Sequence, residues 1–301
     1  VETIGGWTKY ISTAIQGVAR SLFDWGSADG NKYLGVGTNL KFYVESGGII
    51  SDVTPLRGTT AAGDVTFAAS NGSSTLVVSD TGHGAVEGDF VTFSGAASLG
   101  GNVTAPVLNQ EYQVDLVVDA NSYNITAKDS SGATITANAS DTGNGGSSVV
   151  GAYQINTGTN FYVDSTGWGV GGWGVPAWGE SVALTVSNQL RLYSQDAFAD
   201  DLLFNPRAGG VYFWDESSGL STRAVPLSSL GGASNTPTAA LQVMVSDIDR
   251  HVICFGCNPL GSANIDPLLI RWSDQESASD WTPTSTNSSG GQVLSTGTTI
   301  V

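Results

Sequence analysis

Leu22-Phe-Asp-Trp25, Tyr33-Leu-Gly-Val36, Leu40-Lys-Phe-Tyr-Val44 and Ile49-Ile-Ser-Asp-Val53 are four short aromatic and β-branched runs within the single stretch Ala19–Leu56. Each is long enough for a strand and too short for a stable helix. The connectors Ala28-Asp-Gly-Asn31, Thr38-Asn39 and Ser46-Gly-Gly48 are hairpin-turn material, because Gly and Asn tolerate positive φ. The reading is an antiparallel four-stranded meander, the unit of one propeller blade or of half a sandwich.

The same stretch recurs. Laid on Leu190–Leu227 without a gap, it matches Arg20 with Arg191, Ala28 with Ala199, Asp29 with Asp200, Phe42 with Phe213 and Glu45 with Glu216. Ser46, Gly48, Pro55 and Leu56 likewise fall on Ser217, Gly219, Pro226 and Leu227. A fainter third copy, over residues 241–284, puts Trp272 where Tyr43 and Trp214 stand, each aromatic being followed by a Pro: Pro55, Pro226 and Pro283. Self-similarity of this kind marks one supersecondary unit used repeatedly. The expected fold is all-β: propeller-like meanders, each burying an aromatic against its neighbour. Three blades do not close a ring. Since Ser295–Val301 reads as a strand beginning, a truncated C-terminus is expected.

Residues 61–152 differ in texture. Val65–Phe67, Thr75–Val78, Asp89–Phe93, Tyr112–Val118, Ser122–Thr126, Ala133–Ala137 and Val149–Tyr153 read as strands, with Asp119-Ala-Asn-Ser122 as a hairpin turn. They fit a small β-sandwich or barrel inserted into a surface loop of the repeat, where insertions cost little. The expected organisation is therefore 1–60 as the first meander with an N-terminal arm, 61–152 as the insert, 153–189 as an extended loop, and 190–301 as the second and third meanders. The loop contains Gly167-Trp-Gly-Val-Gly-Gly-Trp-Gly-Val-Pro-Ala-Trp-Gly179, which has no strand or helix period. One helix is expected, over Tyr10–Phe23, where Ile11, Ala14, Ile15, Val18 and Leu22 share a face.

Composition narrows the function. Eleven Lys and Arg face 27 Asp and Glu, a formal charge of −16, and charged residues make up only 13% of the chain against an ordinary quarter. Such a surface repels phosphate and argues against electrostatic gripping of nucleic acid, though not against a wall past which DNA slides. No run approaches the ~20 apolar residues of a membrane-spanning helix, and no signal peptide opens the sequence.

The motifs that carry chemistry are absent or incomplete. Cys254 and Cys257 form Cys-x-x-Cys, but zinc needs four ligands and the only histidines are His83 and His251. In a strand the two cysteines point to opposite faces and read as small core residues. Gly167-x-Gly169-x-x-Gly172 lacks the strand and helix that give a dinucleotide fingerprint its mechanism. Asp200-Asp201, Asp215-Glu216, Asp247/Asp249 and Asp274/Glu276 are carboxylate pairs, yet neighbours on a strand diverge and read as solvated turn residues. Asp247 and Asp249 share a face without the ligand spacing of a recognised calcium loop. No Ser/His/Asp constellation is assembled. The expectation is a non-enzyme with no catalytic, cofactor-binding or metal residues and no cofactor.

Several stretches carry a family resemblance: Phe23–Tyr43 closing in Val53-Thr-Pro-Leu-Arg57, Asp201-Leu-Leu-Phe-Asn-Pro-Arg207, Val245-Ser-Asp-Ile-Asp-Arg-His-Val-Ile253, and Leu269-Ile-Arg-Trp-Ser-Asp-Gln-Glu-Ser-Ala-Ser-Asp-Trp-Thr-Pro283. Together they resemble tail structural proteins of tailed bacteriophages, above all the tail nozzle, or tail tubular protein, of short-tailed phages. The resemblance covers the meanders, not the insert or the Trp-Gly loop. It implies a virion tail protein with no membrane-spanning segment. Copies of it assemble in a ring, taken as hexameric, next to the tail adaptor and other tail proteins, and double-stranded DNA passes through without specific binding. It also implies a chain longer than 301 residues.

A lumen lined by Asp and Glu would keep DNA centred and hydrated, with the insert projecting outward. Two alternatives stay open. One is a secreted or surface carbohydrate-binding protein using Trp168, Trp173 and Trp178 as platforms; the other is a tail-associated polysaccharide depolymerase using the acidic pairs.

Overall fold

The turn grammar of Ala19–Leu56 does fold as a meander. In the computed structural model, which describes residues 9–141, 143–157 and 192–297, β1 (Ala19–Gly26), β2 (Lys32–Thr38), β3 (Phe42–Ser46) and β4 (Ile49–Asp52) pair antiparallel in sequence order.

Eight further strands follow in the next segment: β5 (Leu56–Thr59), β6 (Thr66–Ala69), β7 (Thr75–Ser79), β8 (Phe90–Ser94), β9 (Glu111–Gln113), β10 (Leu116–Asp119), β11 (Ser122–Thr126) and β12 (Val150–Gln154). The second meander is β13 (Tyr193–Phe198), β14 (Asp201–Pro206), β15 (Tyr212–Trp214) and β16 (Val225–Pro226). The third is β17 (Ala240–Val245), β18 (Val252–Cys257), β19 (Leu269–Trp272) and β20 (Gly290–Val293). The fold is all-β, with five four-stranded antiparallel sheets among the described residues.

The chain divides into two units, Leu56–Asn156 and the remainder. In the remainder the three meanders stack in series. Ser21, Trp25, Tyr33, Phe42 and Val44 occupy one face of the first sheet, by the pairings of Trp25 with Tyr33 and of Phe42 with Gly37. That face receives the second: Phe42 lies on Phe204, Trp25 and Tyr33 abut Trp214, and Gln195 donates to the Ser21 hydroxyl. The opposite face of the second sheet, with Leu203 and Phe213, shares one core with Val243, Val245, Val252 and Cys254 of the third. Thus Phe42 and Phe213, paired by the sequence repeat, each face the following meander. The aligned Gly48 and Gly219 also share a left-handed backbone, φ +88° and +84°, at the turn after the third strand.

The third copy departs from its expected register. Trp214 faces the preceding meander, whereas Trp272 pairs with Ile253 opposite Met244, on the face turned away from the second sheet. Pro283 precedes β20, while Pro55 follows β4 and Pro226 lies in β16. The shared aromatic-to-Pro interval therefore does not mark an equivalent position.

Three further readings are corrected. Tyr10–Val18 is not helical and β1 starts at Ala19. Side chains of the first meander hold this segment: the Gln16 amide donates to the Tyr43 hydroxyl and the Val18 amide to Asn39 Oδ1. Tyr112–Val118 splits into β9 and β10, which belong to different sheets. Ala133–Ala137 forms no strand, only an isolated bridge of Thr134 to Lys128.

The unit Leu56–Asn156 has one core between two sheets, in the orders β10-β11-β7-β6 and β5-β12-β8-β9. Strict alternation dictates it. Leu76 and Val78 in β7 and Tyr123 and Ile125 in β11 are buried, while Val77 between them is exposed. Phe67 meets Phe93 edge to face across the sandwich. No helix among the described residues is long and apolar enough to cross a membrane.

Candidate functional site

Turns bring the acidic pairs together two by two. The β13–β14 turn carries Asp200 and Asp201, and the end of β15 carries Asp215 and Glu216. Asp201 Oδ1 accepts the Glu216 amide at 2.9 Å, and Glu216 Oε1 accepts the Tyr33 hydroxyl at 2.5 Å. Asp200 caps the first meander, its carboxylate taking the Ala28 amide and its carbonyl the Trp25 indole N–H. Trp25, Tyr33 and Trp214 pack together beside these groups.

The environments differ in sign. Burial, reinforced by Asp215, Asp200 and Glu216, raises the Asp201 carboxyl above its ordinary value. The Ser217 hydroxyl, with Ser218 and their amides, holds Asp215 below it. Burial and then Glu216 push the Tyr33 phenol up to about 12. Two carboxylates driven apart in this way are an acid and base pair in principle.

The other two pairs also converge. Gln275 donates to Asp249 Oδ1, Arg250 pairs with Glu276 at 3.1 Å, and Asp274 takes the amide and hydroxyl of Ser288. These are exposed turn caps. Among the described residues no three His, Cys, Asp or Glu side chains are grouped to hold a metal ion.

A concavity lies in the unit Leu56–Asn156. A pocket of about 430 Å³ is lined only by Asp64, Thr66, Ser79, Asp80, Thr81, Asp119, Asn121 and Ser122. Its deepest anchor is Asp80, buried at 5% exposure, whose Oδ2 accepts the Tyr153 hydroxyl at 2.6 Å. Tyr153 in turn meets the Tyr123 hydroxyl at 2.8 Å. Burial raises both phenols, so they remain protonated donors. The Asn121 amide, with Ser122, keeps Asp119 ionised. Acceptors without a cation or an aromatic platform suit a hydroxyl-rich or cationic ligand rather than a phosphate. Its residues stand at strand ends from separate hairpins, so linear sequence gave no sign of their meeting.

The histidines are structural. His83 is buried, its Nδ1 accepting the Ala85 amide, so Nε2 carries the proton toward the Asp119 carbonyl at 3.0 Å. His251 Nδ1 sits 2.8 Å from the Ser273 carbonyl. Cys254 and Cys257 are free and fully buried in the same core, not on opposite faces. Gly256 between them has φ +54° and breaks the alternation, as a bulge does. Burial raises Cys254 strongly and Cys257 to about 11. The Trp-Gly loop, with Trp168, Trp173, Trp178 and the glycine fingerprint, lies outside the described residues, as do residues 298–301.

No protein-family model matches the chain, and no curated protein does. Among solved structures it is similar to a phage phi92 endosialidase at 12% identity and a TM-score of 0.25; the likeness covers 85% of this chain and 34% of the endosialidase chain.

Proposed function

We propose that the protein is a structural component of a bacteriophage tail, forming with copies of itself a nozzle-like ring that continues the DNA channel. The observation that carries this reading is the placement of charge on the stacked meanders. In an antiparallel meander the turns after the first and third strands share one edge. Asp29, Asp200, Asp215, Asp249, Asp274 and Glu276 all stand at such turns. Arg223 and Arg250 stand on this edge too, outnumbered by its carboxylates, while on the opposite edge the turn after β2 carries Lys41, the turn after β14 Arg207 and the turn after β18 Asp266. A net acidic edge repeated from blade to blade supports a lumen that repels the phosphate backbone and lets DNA slide. A reconstruction of the assembled particle tests it. A ring with Asp and Glu turned to the channel is expected; a lumen lined by Lys and Arg, or absence of the protein from the tail, overturns it.

A second reading, a tail-associated polysaccharide depolymerase, is favoured by the raised Asp201 beside the lowered Asp215. Release of reducing sugar from a host capsular polysaccharide, lost in Asp201→Asn, would establish it in place of a purely structural role.

A further inference from the structure

We propose that copies of this chain associate head to tail through two sheet faces on which no other described sheet packs: the outer face of β17–β20 of one copy receives the outer face of β1–β4 of the next. The proposal deepens the ring reading above by naming the surfaces. It is derived from the stacking alone.

Each meander has a forward face and a rear face, and the first two forward faces are covered in the same way. The forward face of the first sheet, centred on Phe42, is filled by Tyr193, Phe204 and Trp214 of the second. The forward face of the second, with Leu203 and Phe213, is filled by Val243, Val245 and Cys254 of the third. Backbone contacts lock this step, the Val243 and Val245 amides donating to Ser194 Oγ and Asp196 Oδ2.

The forward face of the third sheet carries Met244, Ile253, Phe255, Ile270 and Trp272, placed together by the pairings of Ile253 with Met244 and Trp272 and of Phe255 with Ile270. Gln242 and Gln292 complete the row, and no charged side chain stands on it. Among the described residues no element packs on this face; Met244 is 40% exposed. In a protein of net charge −16 an uncharged apolar sheet face is a specific feature.

The rear of the first sheet is its counterpart. Tyr43 and Val36 there are buried, Tyr43 under the segment before β1, and Leu22, Leu34 and Ile50 share the remainder, Leu22 at 66% exposure. Three carboxylates stand on the same face: Asp24 on the rim strand, Glu45 between Leu34 and Ile50, buried and accepting the Gly48 amide, and Asp52, paired with Lys41. Among the described residues the stack thus ends in a forward face and a rear face on which no further sheet packs. The rear faces of the second and third sheets fill the forward faces before them, so a second copy presenting the rear of its first sheet is the occupant that continues the same stacking. Such a contact is heterologous, and it closes into a ring when the rotation per copy permits.

The test is sedimentation of the full chain over a wide concentration range, with Met244→Glu blocking the forward face and Leu22→Glu the rear face. Both positions are exposed, so the folded state tolerates the change, and circular dichroism checks it. Wild type is expected to self-associate and each variant alone to be monomeric. Mixed, the two variants should form a one-to-one dimer that grows no further, because each keeps one competent face. A wild type that stays monomeric, as when another segment or partner fills the face, overturns the proposal. So does a mixture that stays monomeric, or a variant that dimerises alone through a like-with-like contact. A ring that persists in particles carrying Met244→Glu refutes the docking faces and leaves the tail reading standing; self-association in solution without any place in a tail does the reverse.

Discussion

The rings of Phe42 and Phe204 lie flat on one another, centroids 3.8 Å apart and planes 5° from parallel, joining the first meander to the second. Both side chains are fully buried. Phe42→Ala should therefore cost about 3–5 kcal/mol of stability from lost burial and the cavity left behind. A double-mutant cycle with Phe204→Ala should show a coupling of about 1 kcal/mol between the two rings. Denaturant midpoints measure both, and additivity of the two losses would show that the stacking couples nothing.

A neighbouring contact depends on the lack of a side chain. A Cβ added at Gly37 would stand 2.5 Å from the Tyr193 ring and 2.6 Å from Ser21 Oγ. Gly37→Ala is expected to destabilise by about 1–3 kcal/mol through forced separation of the first two sheets. Gly58→Ala, in β5 with nothing within 4 Å, makes the same chemical change and should be neutral or stabilising. Equal melting shifts for the two variants would refute the contact.

Acid should weaken the fold through Asp52. It meets buried Lys41 at 2.7 Å, Arg223 at 3.5 Å and the Thr54 hydroxyl at 2.5 Å. Burial pushes its carboxyl up, but Lys41 and Thr54 outweigh this and hold it below 3.8. A depressed folded value means the stabilisation is complete above the unfolded value and is lost as pH falls through the folded one. Asp52→Asn should cost about 1–3 kcal/mol at neutral pH, and the gap to wild type should close as pH falls below the ordinary carboxylate range. Urea midpoints across that range would show it, and a gap independent of pH would rule the pairing out.

The acidic turn should behave with the opposite sign. Because burial raises the Asp201 carboxyl, its ionised form is a burden on the folded state at neutral pH. Asp201→Asn keeps an acceptor for the Glu216 amide and should raise the melting temperature at neutral pH, with the advantage shrinking as acid protonates the wild-type carboxyl. A variant less stable at every pH would contradict that assignment.

The two thiols should be silent. Both are fully buried with thiolates disfavoured, so a disulfide reagent should label Cys254 and Cys257 only as fast as the protein opens. Rapid labelling of either in native buffer would show an exposed site.

Local chemistry was legible in the chain because short-range rules govern it. Asp29-Gly30 and Gly47-Gly48 force turns whatever surrounds them, and the alternation of Leu76, Val78, Tyr123 and Ile125 fixes which face is buried. The repeat relating Phe42 to Phe213 carried the stacking sense as well, since both face the next meander. Only the tertiary structure decided the rest. Cys254 and Cys257 share a core because one left-handed residue, Gly256, resets the side-chain parity that sequence counting assumes. Trp272 turns to the opposite face from Trp214 because a one-residue change of register moves a side chain across the sheet. Asp201 meets Glu216, and Asp80 meets Tyr153, because different strands deliver them to one place. Glycines 35 and 37 look like weak points in a strand, yet Gln195 and Tyr193 of the next sheet occupy the space beside them. Turns and periodicity depend on near neighbours and are written in the chain; which face meets which, and where carboxylates converge, depends on residues far apart in sequence and exists only once the sheets have packed.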